Sequence, residues 1–418
     1  MKKKVLSLLL VAAMGISMLV GCGGGGGNTE GGNTQKPEGP KAITLKVWAP
    51  DNQQELLKKQ TVAFQEANKD KWTITWDLAA VGEDDAKNQV LNDADAAADV
   101  FMYASDNTTA LVNAGVIAKL GGATVDMIKS TMSQQIVDSV TVNGDIYAIP
   151  FTHNTWFVYY DKTIMTEDDV KTMEGIMGKQ TADGVYNFKI DGGGWYMGSW
   201  YYGAGLSLYG MDGTQLDKGC DFNSAKGVAV TKYLINLVNN KTKVDDEIDI
   251  MQHIRDHKLG VWFDGAWNYD NYKGVLGDNL GMAQLPTFTV DGETIQMRAF
   301  YASKAIAVNA KSKNMDAAIA FANYLGSEEQ QIARFDDSAQ VPTNNKAAAL
   351  DKVQQSPVAQ VILSVAANTS VVQPGTAEFG SGYWTPAAAI VGDIQAGKLT
   401  LDNVQEYLDQ LVKAMTGK

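Results

Sequence analysis

The 418-residue chain predicts an α/β fold with largely parallel sheets. Short apolar runs alternate with amphipathic stretches at the spacing of βαβ units. A second set of such units recurs in the later half of the chain. The length exceeds one ordinary domain and points to two or three, with enough buried area to fold without disulfide staples.

Residues 1–21 carry Lys2, Lys3 and Lys4, an apolar run from Val5 to Val20, and Gly21. That run is shorter than the roughly eighteen residues of a membrane span, and its basic flank fits a secretory signal peptide. Leu19-Val20-Gly21-Cys22 resembles the bacterial lipobox, which implies cleavage before Cys22 and a diacylglycerol on its sulfur. The alternative is an ordinary signal peptide with an incidental cysteine. Residues 22–40 hold GGGGGNTEGG and NTQKPEGP, too polar and glycine-rich to bury a core, and read as a flexible, lipid-anchored tether.

The body then alternates. Ile43 to Trp48 reads as a strand, and Leu56, Leu57, Ala63, Phe64 and Ala67 mark one face of a helix. Thr73 to Leu78 alternates as a second strand, and Asp99 to Ala104 as a third. Val228 to Val238 has helical spacing, and Leu259 to Phe263 and Ala305 to Val308 are compact apolar runs. Met315, Ala318, Ile319, Ala322 and Leu325 form a helical stripe, and Ser327-Glu328-Glu329-Gln330 supplies a capping-box start for the next helix. Val404, Tyr407, Leu408, Leu411, Val412 and Met415 give a closing helix one apolar face.

Composition excludes several function classes. The formal charge is −13, and loss of the three leader lysines makes the exported part more acidic still, so there is no field to hold nucleic acid. Cys220 is the one thiol of the body and reads as a packed small residue. His253 and His257 stand at helical i, i+4 spacing, but the Glu of zinc proteases is absent between them and they read as solvated helix residues. Asp93, Asp95 and Asp99 match calcium-loop spacing only up to Ala98, where the turn needs Gly, and read as a solvated acidic face. Neither a nucleophile elbow nor a phosphate-binding glycine loop follows a strand. No catalytic residue, metal or cofactor is expected.

The signal lies in nine Trp and sixteen Tyr. Residues 191–205 mix Trp195, Tyr196, Trp200, Tyr201 and Tyr202 with glycines, and read as too glycine-rich for a helix interior. Gly265 to Tyr269 and Gly380 to Trp384 repeat that composition. Rings on such loops, beside Asn, Asp and Ser, suit a polyhydroxylated ligand: a sugar's C–H face stacks on the ring while its hydroxyls take hydrogen bonds. For any single Trp, core packing is an equal alternative. Trp48, Trp72, Trp76 and Trp262 sit in strand-like runs and read as core.

Several segments resemble the maltose/maltodextrin-binding proteins, the extracytoplasmic sugar receptors of ABC importers. They are Asp99 to Asn107 with Ala114 to Leu120, Asn143 to Pro150 with Tyr159 to Lys162, Gly260 to Trp267, and Leu285 to Phe288, in the family's order. The resemblance implies a two-lobed periplasmic-binding-protein-like fold, each lobe a mainly parallel sheet with flanking helices, hinged over the ligand. It implies an N-terminal lobe of 41–151 plus about 304–345 and a C-terminal lobe of 152–303 plus about 346–418. By position it places Tyr103, Tyr196, Trp267 and Trp384 on glucose rings, with Trp156 and Trp195 at neighbouring offsets. Asp51 and Asp106 take carboxylate positions that bind sugar hydroxyls. Asn52, Asn107 and His153-Asn154 stand where the best-known member has charged residues, and Asn52, Asn107, Asn154 and Tyr269 complete the expected site. The resemblance further implies a malto-oligosaccharide ligand, an ABC permease as partner, and a monomer on the outer face of the cytoplasmic membrane, as in Gram-positive-type lipoproteins. Two alternatives stay open: another oligosaccharide, such as a xylo- or galacto-oligomer, and a surface glycoside hydrolase with paired carboxylates.

Overall fold

The computed structural model describes residues 39–244 and 249–418. The leader, Cys22 and most of the tether lie outside the described residues.

Ten strands build the two larger sheets: β1 (Lys41–Ala49), β2 (Trp72–Ala80), β3 (Val100–Ala104), β4 (Ala148–Asn154), β5 (Trp156–Asp161), β6 (Tyr186–Phe188), β7 (Leu259–Gly265), β8 (Leu280–Ala283), β9 (Ala299–Val308) and β10 (Ser370–Val372). The first sheet has the order β10-β9-β3-β1-β2, with β4 also paired to β9; the second has the order β8-β5-β7-β6. In the first sheet β1 runs parallel to β2 and β3, whereas β9 runs against β3 and β4. In the second, β6 and β7 are parallel, and β5 runs against both β7 and β8.

The first sheet is mainly parallel, as expected, whereas in the second only β6 and β7 pair in parallel, and every antiparallel pairing in the two sheets involves β5 or β9. β5 enters from the first sheet and β9 returns to it. β5 runs against β7 and β8, and β9 runs against β3 and β4 though parallel to β10; the antiparallel pairings need no crossover helix.

Each sheet has its own core. Ile43, Leu45 and Val47 of β1 alternate inward toward Leu57 and Phe64 of the Gln54–Ala67 helix, and Phe321 and Leu325 close the same cluster. The second core gathers Phe157, Tyr159, Val261, Leu408 and Met415, among others. Half of the expected capping box forms: Ser327 Oγ accepts from the Gln330 backbone amide at 3.4 Å, while the Gln330 side chain accepts from Gln60 and the Ser327 amide donates to the Tyr324 carbonyl. Trp48 and Trp262 are buried, and Trp72 and Trp76 pack half-buried on the first core.

Two expectations need correction. The 191–205 and 380–384 stretches are helices, Gly194–Gly203 and part of Ala377–Gln395. A Cβ on Gly198 would lie 2.5 Å from the Phe300 ring, and one on Gly382 would lie 2.2 Å from the Met415 carbonyl. These glycines let helices approach their neighbours closely, and that packing outweighs the roughly 1 kcal/mol each costs in a helix. The second correction concerns His257. It lies beyond the Ile250–Arg255 helix with φ 54°, and its Nδ1 meets the fully buried Asp161 carboxylate at 2.5 Å. Burying that carboxylate requires a partner, and His257 supplies one.

Candidate functional site

Three strand ends converge on one cavity, and each has the same local construction. β1 stops at Ala49, β3 at Ala104 and β7 at Gly265; each passes through a 3-10 turn (Asp51–Gln53, Ser105–Asn107, Ala266–Asn268) into a helix. Such corners expose side chains at the carboxyl ends of the strands, where open α/β sheets bind ligands. The cavity has a volume of about 810 Å³, within the range of small-molecule sites.

The turns contribute Asn52 and Gln53, Asp106 and Asn107, and Trp267. The Gly194–Gly203 helix adds Trp195 and Tyr196 from its first turn, and the Ala377–Gln395 helix adds Trp384. The Trp195 indole is 5.8 Å from that of Trp267, tilted by 31°, and its Nε1 donates to Gln373 Oε1 at 2.7 Å. Trp384 is braced edge-on by Phe300 and Phe379 at 6.0 and 5.4 Å. Tyr196 keeps its proton at any physiological pH, because burial and then Asp264 raise its phenol pKa.

Asp264 holds the Trp267 corner in place. One carboxylate oxygen accepts from the Asn268 amide at 2.8 Å and the Tyr272 hydroxyl at 2.5 Å, and the other from the Gly265 backbone at 2.8 Å. Across the cavity, Lys304 pairs with Glu83 at 2.9 Å, and its ammonium sits 5.9 Å from the Trp267 ring centroid. The lining thus offers aromatic faces, amides and carboxylates to a polyhydroxylated ligand.

The profile described as bacterial extracellular solute-binding protein matches residues 59–360. The chain belongs to that family. A solved structure with acarbose is 35% identical, with TM-score 0.84 over 90% of this chain and 99% of that one. A maltodextrin-binding protein of L. casei BL23, solved without ligand, is 28% identical, with TM-score 0.80 over 90% and 99%. The galactooligosaccharide-binding protein of Bacillus subtilis (strain 168) is 23% identical, over 100% of this chain and 98% of that protein. The fold of this solute-binding protein is accordingly the two-lobed one of extracellular sugar receptors.

Of the residues expected from sequence, the structure brings Asn52, Asp106, Asn107, Asn154, Trp195, Tyr196, Trp267 and Trp384 to this solute-binding cavity. Four others do not line it. Tyr103 is fully buried, its hydroxyl 2.8 Å from Thr108 Oγ1, because β3 is covered on both faces. Trp156 is buried behind Tyr196, with ring centroids 4.9 Å apart, and braces that ring. Asp51 is exposed at the start of its 3-10 turn, and Tyr269 packs half-buried on the second core.

Sequence reasoning missed Gln53, Glu83, Lys87, Lys304, Gln340 and Gln373, all of which line the cavity, as does His153, which the resemblance had set at a contact position. Lys304 had a signal: it is a lone charge in the apolar strand Ala299–Val308. Gln340 and Gln373 had none, since their loops reach the cavity only through the tertiary fold.

Proposed function

We propose that this solute-binding protein captures malto-oligosaccharides outside the cell and presents them to the permease of an ABC importer. The observation that carries this reading is the cluster of Trp195, Tyr196, Trp267 and Trp384 around a cavity lined with amides and carboxylates. Kinship with a maltodextrin-binding protein and with a protein solved with acarbose, itself an oligosaccharide mimic, supports the α-glucan over other sugars. Asn52, Asp106, Asn107 and Asn154 bind hydroxyls, and the rings take the C–H faces. A ligand held by both lobes shifts the open–closed equilibrium toward the closed form that the permease recognises.

No covalent step is part of this reading. The lobes divide as 41–151 plus about 304–345 and 152–303 plus about 346–418. The protein acts as a monomer, anchored through lipid on Cys22 and spaced from the membrane by residues 23–40. A thermal-shift panel of maltotriose, galacto-oligosaccharide and xylo-oligosaccharide tests the ligand, since saturating ligand raises apparent stability by mass action. The largest shift is expected with maltotriose. A larger shift with a galacto-oligosaccharide reassigns the ligand, and release of reducing ends from starch fragments makes the protein a hydrolase.

A further inference from the structure

Three stretches of chain run side by side where the lobes meet. β4 leads through Thr155 into β5, β9 returns alongside it, and residues 339–343 pass next to both. Ala302 and Ser303 of β9 pair with Asn154 and His153. Thr155 Oγ1 donates to the Phe300 carbonyl at 3.0 Å, and Thr152 Oγ1 to the Val341 carbonyl at 2.8 Å.

One side chain touches all three stretches. His153 belongs to the first, its Nδ1 meets the Tyr301 hydroxyl of the second, and its Nε2 lies 3.1 Å from the Pro342 carbonyl of the third. A carbonyl only accepts, so Nε2 carries the proton, and Nδ1 accepts from the Tyr301 hydroxyl. Burial lowers the imidazole pKa to about 4, which keeps the ring in this neutral form.

A neutral imidazole has one donor and one acceptor, and both are used. Although His153 lines the cavity, it has no hydrogen bond left for a sugar. Its neighbour Asn154, also in the lining, is the one available for that task.

We infer that His153 is the positioning residue of the hinge: with Tyr301 and Pro342 it clasps the three crossing stretches and sets the arrangement of the lobes from which capture begins. The clasp itself does not depend on the identity of the ligand; only the affinity arm of its test rests on the malto-oligosaccharide reading.

The test uses Tyr301→Phe in the full chain. Tyr301 does not line the cavity, and the substitution keeps the ring that packs in the first core while removing the hydroxyl. In the ligand-free protein, amide hydrogen exchange at 339–343 is expected to rise about fivefold, the factor one lost hydrogen bond carries, with exchange in β7 unchanged. Affinity for maltotriose is expected to fall by a similar factor. His153→Gln is the second variant, and combining it with Tyr301→Phe adds no further loss, because both break one clasp.

Unchanged exchange at 339–343 in both variants overturns the clasp, and a fully additive double variant does so too. If the unaltered protein binds no maltotriose, the ligand reading fails, while the exchange arm still decides the clasp.

Discussion

The indole of Trp267 lies directly against Gly265: a Cβ on Gly265 would sit 2.0 Å from the ring atom Cζ3. Gly265 has φ −97°, which any residue adopts, so what it supplies is space. Gly265→Ala must push the indole out of its seat. Sugar affinity is expected to fall about tenfold or more, roughly 1.4 kcal/mol, with thermal stability little changed. Calorimetric titration beside a melting curve checks both.

Tyr103 makes the converse case. The family resemblance puts it on a sugar, and the structure puts it in the core, bonded to Thr108. Tyr103→Phe is expected to leave ligand affinity unchanged and to lower stability by about 1 kcal/mol, the worth of one buried hydrogen bond. Affinity and urea midpoint, measured on the same preparation, separate the two assignments.

The depressed pKa of His153 gives stability a pH dependence. Burial holds the folded-state pKa near 4, below the ordinary histidine value of 6.5. Above pH 6.5 the ring is neutral in both states and its contribution is complete. As pH falls from about 6.5 to about 4, the unfolded chain takes up a proton that the folded one does not, and stability drops by an amount on the order of 3 kcal/mol. His153→Gln is expected to flatten the melting temperature across that window relative to the unaltered protein.

Gly198→Ala tests the close approach of the Gly194–Gly203 helix. The added methyl meets the Phe300 ring at 2.5 Å and the Tyr383 hydroxyl at 2.9 Å. Overpacking of this kind costs about 1–3 kcal/mol, although alanine is the better helix former. Unfolding by denaturant reads the sign: stabilisation would mean that helix propensity, and not the contact, governs the position.

How much of this was legible in the sequence follows from where each signal resides. β1, β2, β3, the capped helix after Ser327 and the last helix were readable because their apolar period faces a single core. The Gly194–Gly203 helix was misread because its glycines answer to Phe300, Trp384 and Gln296, residues roughly one to two hundred positions away. Trp195, Tyr196, Trp267 and Trp384 were found through composition and family position together, and the structure brings them to one cavity. Trp156 and Tyr103 resemble them in sequence. Tyr103 and Trp156 lie within strands that are buried on both faces, whereas Trp195, Tyr196, Trp267 and Trp384 lie on turns and helices at the cavity.

The central claim is that the Trp195, Tyr196, Trp267 and Trp384 cavity takes a malto-oligosaccharide, and calorimetric titration with maltotriose tests it most directly. The account predicts saturable one-to-one binding that Trp267→Ala and Trp384→Ala each weaken about tenfold or more. Absence of heat with maltotriose, or binding unaffected by both substitutions, would contradict it.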